Sequence, residues 1–194
     1  MPREAKPDTG DPADRELVVT RVFDAPRELM FEAFTDPKLL MTWWGPRGCR
    51  VISCETNPVA GGTWRIAMRS PRTLPQFVHR YPVDPEGSLG RPRRSARDAA
   101  APKEPWIVER QCGVYQEVVK PERLVFTGAF EDDDGRPRHQ TLITVTFSKE
   151  GEKTRLTLHQ ARFPSVSARD DHVRGWTEAL EHLAESLIRA LQGR

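Results

Sequence analysis

Alternating apolar and polar positions predict one strand and two short helices near the start of the chain. Apolar and β-branched side chains occupy both faces of 16–23, a pattern typical of a strand. Asp24 stands two residues before Pro26 and Asp36 directly before Pro37, which is a typical helix start because aspartate caps and proline fits the first turn. We therefore expect two helices after the strand, the second of them ending near Trp43.

Six further runs alternate in the same way and are separated by turn-forming residues. Because short alternating runs with regular turn signals are typical of an antiparallel meander, each run predicts one strand. The predicted strands cover 50–56, 63–69, 106–119, 123–130, 140–148 and 154–161.

The end of the chain has the clearest periodicity. Apolar residues recur there at helical spacing, and they predict a long amphipathic helix of about six turns. They are Val173, Trp176, Leu180, Leu183, Leu187 and Leu191. Ser167 and Asp170 resemble a capping box at its start, and Gly193 is expected at its end.

These elements predict an α+β fold, in which a curved antiparallel sheet wraps around the long C-terminal helix. Two short helices lie between the first two strands. A sheet must cover its apolar face, and only the last helix is long enough to do so. We expect an apolar cavity to remain between the sheet and the N-terminal end of that helix.

Two segments do not follow the pattern. Residues 1–14 are rich in proline and charge and predict a disordered tail before a single domain at 15–192. The segment 70–105 predicts an irregular insertion, since prolines at such density cannot donate to a sheet ladder. It contains Pro71, Pro75, Pro82, Pro85, Pro92, Pro102 and Pro105, with an arginine cluster at Arg91, Arg93, Arg94 and Arg97.

Composition excludes several classes of protein. The 30 basic and 28 acidic residues leave a net charge of +2, too balanced for a nucleic-acid binder. The apolar runs are far shorter than a membrane span, and residues 1–15 have no signal-peptide pattern, so we expect a cytoplasmic protein. Cys49, Cys54 and Cys112 form no CxxC pair. We therefore expect reduced thiols, no metal site and no cofactor.

Several motifs, in this order, resemble one family. They are VTRVFDAP at 19–26, WWGP at 43–46, GGTWR at 61–65, GVYQEV at 113–118, PERLVFT at 121–127, KTRLTL at 153–158 and RDDHVRGW at 169–176. Together they resemble the SRPBCC (START-like) superfamily and, within it, the homologues of the activator of the heat-shock protein 90 ATPase. The resemblance covers about 15–192 without the insertion. It implies the helix-grip fold and a hydrophobic cavity, and it names no reaction.

The predicted cavity supplies the candidate ligand-binding residues. They are Trp43, Trp44, Trp64, Ile66, Met68, Tyr115, Glu117, Phe126, His139, Ile143, Val145, Gln160, His172 and Trp176. Of the two adjacent tryptophans, we expect one in the core and one at the cavity mouth. Strand alternation places His139 and Gln160 inward and His159 outward.

Three functions remain open. The first is binding of a hydrophobic small molecule by a protein that is not an enzyme, with a homodimer as an option. The second is an enzyme of cyclase or hydrolase type in which Glu117 and His172 act as an acid/base pair; Glu117 would instead be a surface residue if it pairs with Lys120 or Arg123. The third is protein interaction like that of the co-chaperone.

Overall fold

The computed structural model describes residues 11–71 and 105–192, which form seven strands and three α-helices. In chain order they are β1 (Leu17–Phe23), α1 (Arg27–Thr35), α2 (Pro37–Trp43), β2 (Arg50–Thr56), β3 (Thr63–Pro71), β4 (Trp106–Val119), β5 (Arg123–Phe130), β6 (Thr141–Glu150), β7 (Lys153–Ala161) and α3 (Val166–Gln192). The predicted order of elements is confirmed, and most bounds agree within one or two residues.

All seven strands form one antiparallel sheet in the order β1-β7-β6-β5-β4-β3-β2. β1 and β2 are consecutive in sequence but lie at opposite edges, so α1 and α2 carry the chain from one edge to the other. α3 contacts both β1 and α2. This arrangement is the predicted α+β helix-grip fold.

The core lies between the sheet and the helices. Leu124, Val145 and Leu158 are completely inaccessible to solvent on three neighbouring strands, and Leu180 and Leu183 of α3 are 1% exposed. Burying such side chains stabilises a fold by about 1.5–3 kcal/mol each. The alternating apolar positions of the strands and the apolar stripe of α3 therefore determine which face of the sheet packs against which face of the helix.

Helix starts follow the predicted rule in one case of three. The Asp36 carboxylate accepts from the backbone N–H groups of Lys38 and Leu39 at 2.7 and 3.2 Å, so α2 is capped as expected. The prediction of an Asp24 cap is wrong, because α1 begins after Pro26 with no side-chain cap.

The predicted capping box of α3 is also wrong. Ser167 lies inside the helix. Ser165 instead precedes the helix, and its Oγ accepts from the N–H of Ala168 at 3.1 Å. The predicted stripe fails at Val173, which is 36% exposed, and the predicted end at Gly193 lies outside the described residues.

The two irregular segments are partly described. Pro12–Arg15 forms a short 3-10 helix that Asp11 caps, and this helix overlaps the end of the predicted tail at 1–14. Pro71 pairs with Trp106 across β3 and β4, and strand structure therefore extends into the first residues of the predicted insertion. The rest of the predicted insertion, with its prolines and arginines between 72 and 104, lies outside the described residues, as do residues 1–10.

Within the described part of the chain, each helix is too short or too polar to cross a bilayer.

Candidate ligand-binding pocket

A pocket of about 200 Å³ lies beside the N-terminal half of α3. It is smaller than the roughly 300–1,000 Å³ of pockets for drug-sized ligands. Its wall combines the segment after α2, one residue of β3, the start of β4, the end of β5 with the following turn, and α3. The lining residues are Trp44, Gly45, Pro46, Met68, Val108, Glu109, Arg110, Gln111, Phe130, Glu131, Asp132, Asp133, Arg138, Ala168, Asp171, His172, Gly175, Trp176 and Ala179.

Two tryptophans form an aromatic wall of this pocket. The rings of Trp44 and Trp176 meet edge to face, with their centroids 5.3 Å apart. The indole N–H of Trp44 donates to Oε1 of Gln111 at 3.2 Å. Because Oε1 of Gln111 accepts this bond, its Nε2 is the opposite atom of the carboxamide and is a hydrogen-bond donor.

A smaller void of about 40 Å³ lies deeper and shares Trp44, Gln111, Phe130, His172 and Trp176 with the pocket. A chain of hydrogen bonds fixes its polar side. Trp176 Nε1 donates to Gln160 Oε1 at 2.6 Å, and Gln160 Nε2 donates to Thr141 Oγ1 at 2.8 Å. The buried amide therefore holds the Trp176 ring in one orientation.

Arg47 fastens the segment after α2 to the outer side of α3. Its backbone N–H donates to Glu178 at 2.9 Å, and its guanidinium lies 3.3 and 3.0 Å from the carboxylates of Glu181 and Glu185. His182 Nδ1 donates to the carbonyl oxygen of Gly45 at 3.2 Å. These contacts hold one wall of the pocket against the helix.

His172 projects from α3 between two aromatic rings. Its ring centroid is 4.8 Å from that of Phe163 and 6.1 Å from that of Phe130. Nδ1 donates to the carbonyl oxygen of Ala168 at 2.8 Å. Burial lowers the pKa of His172 below its ordinary value, although the Ala168 carbonyl and the nearby Asp171 oppose this shift. The imidazole is therefore neutral at pH 7, with its proton on Nδ1.

The pocket wall is more polar than the predicted cavity. Ser70 Oγ donates to Glu109 at 3.5 Å, and Glu131 lies 2.6 Å from Arg65. Asp133 is exposed at the rim, and Arg138 adds a positive charge. The wall of the pocket therefore combines apolar and charged side chains.

The predicted site residues fall into three groups. Those that line the pocket or the deeper void are Trp44, Trp64, Met68, Ile143, Gln160, His172 and Trp176. Those buried in the core apart from these two spaces are Trp43, Ile66, Tyr115, Phe126 and Val145. Glu117 and His139 are exposed on the surface.

The two adjacent tryptophans have separate positions. Trp43 is 2% exposed and donates from its indole N–H to the carbonyl oxygen of Ala33 at 2.9 Å. Trp44 lies on the pocket wall.

Of the two positions that the sequence left open for Glu117, the structure shows the surface one, so its place among the candidate ligand-binding residues is wrong. The pairing of β4 with β5 is Tyr115 to Phe126 but Glu117 to Val125, so an extra residue forms a β-bulge between them. The bulge reverses the alternation, and Glu117 lies 3.3 Å from Arg123 at the surface. It stands six residues along β4 from Gln111, about 20 Å from the pocket at the strand rise.

The prediction that His139 faces inward is also wrong. β6 begins only at Thr141, so the alternation that placed His139 does not extend to it. Its Nε2 instead contacts the carbonyl oxygen of Arg162 at the surface. His159 faces outward, as the alternation predicts, and lies 2.8 Å from Glu16.

Sequence reasoning missed three pocket residues that the sequence pattern could have indicated. Gln111 has the same parity along β4 as Tyr115 and precedes the bulge. Phe130 is the last residue of β5 and has the parity of Phe126. Gly175 is a glycine inside a helix, which costs about 1 kcal/mol relative to alanine and often has a packing reason.

The three cysteines are partly buried, and this burial sets the protonation state of their thiols. Cys49, Cys54 and Cys112 are free, and burial raises the pKa of Cys49 and of Cys54 to about 11. At neutral pH these two thiols are therefore protonated and weak nucleophiles. Within residues 11–71 and 105–192, no group of three His, Cys, Asp or Glu side chains could hold a metal ion.

Comparisons with known proteins agree on one family and one fold. The model of the family "Activator of Hsp90 ATPase homolog 1-like protein" matches residues 24–78 and 70–187. A crystal structure of the AHSA1 protein of Silicibacter pomeroyi is 22% identical, with a TM-score of 0.65 over 90% of this chain and 99% of that one. An Arthrobacter aurescens protein solved by NMR is 21% identical, with a TM-score of 0.65 over 92% and 89%.

A third solved structure, from Staphylococcus epidermidis, is 20% identical, with a TM-score of 0.64 over 98% of this chain and 95% of that one. At this level of identity the three likenesses show the fold alone. Among curated proteins, no match was found.

Proposed function

The chain belongs to the family of Activator of Hsp90 ATPase homolog 1-like proteins, and we propose that it binds a small, largely apolar molecule in the pocket beside α3. The pocket carries the proposal. It is the place where α3 and the sheet do not close on each other, and aromatic side chains line it together with several charged and polar ones. Concave sites that combine aromatic walls with polar groups are typical of ligand binding.

The contacts of the wall favour a preformed site. The Trp44 indole is held by Gln111, the Trp176 indole by Gln160, and the segment before Arg47 by the glutamates of α3. Side chains fixed before binding lose little conformational entropy when a ligand enters. A small molecule can therefore bind here without reorganisation of the core.

Binding without chemistry is favoured over the enzyme that the sequence left open. That enzyme needs Glu117 and His172 to converge on one substrate, and Glu117 pairs with Arg123 about 20 Å along β4 from the pocket. General acid/base partners must lie within hydrogen-bond reach of the reacting groups. The co-chaperone-like role, the homodimer and the cytoplasmic location stay predictions.

Gly175 provides a direct test of the pocket. A Cβ at this position meets no atom within 4 Å, and the residue lines the pocket. We expect Gly175→Leu to fill the space and weaken binding of phenylbutanol, with its phenyl group at the chain end, by at least about tenfold. Isothermal titration calorimetry measures this change.

The matched control is Gly175→Ala, which adds one carbon and leaves most of the space open. It should bind phenylbutanol like the parent and raise the free energy of unfolding by about 1 kcal/mol, because alanine is the better helix former. If Gly175→Leu folds and still binds with the parent affinity, the pocket is not the binding site. Native mass spectrometry of freshly purified protein should also show a co-purified small molecule.

A further inference from the structure

Two arginines line the pocket, and neither forms a salt bridge with a carboxylate of the described residues. Arg110 lies on β4 and Arg138 in the connection between β5 and β6, and both belong to the pocket wall. In the described ranges 11–71 and 105–192, no salt bridge involves either guanidinium. The pocket therefore carries two positive charges that these residues do not pair.

The same wall also holds five carboxylates, those of Glu109, Glu131, Asp132, Asp133 and Asp171, and three of them are engaged elsewhere. Glu131 lies 2.6 Å from Arg65, and its side chain is only 3% exposed. Asp171 pairs with Arg174 on the next turn of α3. Asp132 accepts from two backbone N–H groups of its own turn, at 3.0 and 2.8 Å. Glu131 and Asp171 thus pair with arginines outside the pocket wall, and Asp132 is engaged within its own turn.

Arg138 also carries an unsatisfied donor. Its Nε is buried and has no hydrogen-bond partner among the described residues. The Nε atoms of Arg15, Arg27 and Arg169 share this property, but of these four arginines only Arg138 lines the pocket. Arg27 and Arg169 also have carboxylates within 3.3 and 2.7 Å. A buried donor without an acceptor is unfavourable, and an acceptor on a ligand would satisfy it.

We propose that the ligand is a small carboxylic acid whose carboxylate binds Arg138. The planar guanidinium presents paired donors that match a carboxylate, and Arg110 adds positive potential at the rim. The apolar body of the acid then packs against Trp44, Phe130 and Trp176. This inference rests on the proposed function and adds the chemical class of the ligand to it.

Three probes that share the same apolar group test whether the ligand is a carboxylic acid. Phenylbutanoate, phenylbutanol and phenylbutylamine carry a carboxylate, a hydroxyl and an ammonium group on the same chain. We expect phenylbutanoate to bind at least about tenfold more tightly than phenylbutanol, because a charge-assisted hydrogen bond replaces a neutral one. Phenylbutylamine should bind most weakly. Calorimetry at pH 7 and constant ionic strength gives the three affinities.

Arg138→Met tests the residue, since methionine keeps much of the apolar stem and removes the charge. It should abolish the preference for phenylbutanoate over phenylbutanol. The matched control is Arg136→Met, on the same turn but outside the pocket wall and paired with Asp134 at 3.8 Å. It should keep the preference.

The outcomes separate this inference from the proposed function. Equal binding of all three probes, or tighter binding of phenylbutylamine, overturns the carboxylate class while the binding function stands. A preference for phenylbutanoate that persists in Arg138→Met overturns the role of Arg138. If no probe binds the parent protein, both proposals fail for apolar bodies of this size.

Discussion

The imidazole of His172 shows how burial changes the chemistry of one side chain. Its ring lies between Phe130 and Phe163, and its Nδ1 donates to the backbone of α3. This is the structural role that most buried histidines have, and it leaves a neutral ring on the pocket wall. His172 thus shapes the pocket, whereas Glu117 lies at the surface beside Arg123.

This burial predicts a pH dependence of stability. Because burial lowers the pKa of His172 in the folded state below its ordinary 6.5, the unfolded chain binds more protons as the pH falls below 6.5. The contribution of the neutral His172 ring to folding stability is therefore present above pH 6.5 and is lost as the pH falls below that value. We expect the free energy of unfolding to fall as the pH is lowered from 7 to 5.

His172→Gln should remove most of this dependence in urea titrations at the two pH values. His159→Gln, which changes an exposed histidine beside Glu16, should retain it. An unchanged slope in His172→Gln would show that the ring is not excluded from solvent as the structure describes.

The segment between α2 and β2 depends on two glycines and one arginine. Gly45 and Gly48 have φ values of +103° and +84°, a region that other residues rarely adopt. The turn that they allow brings Arg47 against three glutamates of α3. Sequence spacing does not indicate this contact, because more than a hundred residues separate the partners.

Exposed ion pairs of this kind predict a salt-dependent stability. Arg47→Gln should lower the Tm by about 2 °C at low ionic strength, and the difference should shrink in 1 M NaCl, where the screening length is only about 3 Å. Differential scanning calorimetry at the two salt concentrations measures it.

Arg136→Gln is the control, since its pair with Asp134 lies within one turn and joins no separate elements. It should change the Tm little in either salt. A loss in Arg47→Gln that is equally large in 1 M NaCl would mean that packing, rather than charge, holds the segment on α3.

At the scale of the whole molecule, the sheet is continuous although the chain between β3 and β4 is long. The two strands pair from Thr63 with Val114 to Pro71 with Trp106, so their register is set at both ends. The sequence predicts an irregular connection over the intervening residues. The sheet and α3 should therefore form without that connection.

Replacement of 72–105 by Asn-Gly tests this expectation, because a two-residue turn of this type suits paired antiparallel strands. Shortening the connection from about 34 residues to 2 halves its length about four times. Each halving reduces the entropic cost of closing the loop by about 0.6 kcal/mol. We expect cooperative unfolding with roughly 2 kcal/mol of added stability in chemical denaturation. Loss of cooperative unfolding would show that the replaced segment belongs to the core.

The sequence by itself determined the elements and their order. Strands with one buried face alternate with period 2, and α3 repeats its apolar stripe every three or four residues, so local pattern was sufficient for their type and approximate bounds. The motifs from 19–26 to 169–176 were likewise sufficient for the family. Within the site, the tryptophans and Gln160 could be found because they follow these periodicities.

Only the tertiary structure decided which of these side chains meet. The β-bulge after Tyr115 turns Glu117 outward, and nothing in the alternation indicates where an extra residue enters a strand. The pocket is a gap between elements distant in sequence, and Arg138 contributes to it from a turn without periodicity. Which face of a helix or strand is buried follows from the local sequence pattern. A pocket, in contrast, depends on the space that remains between several elements after they pack together.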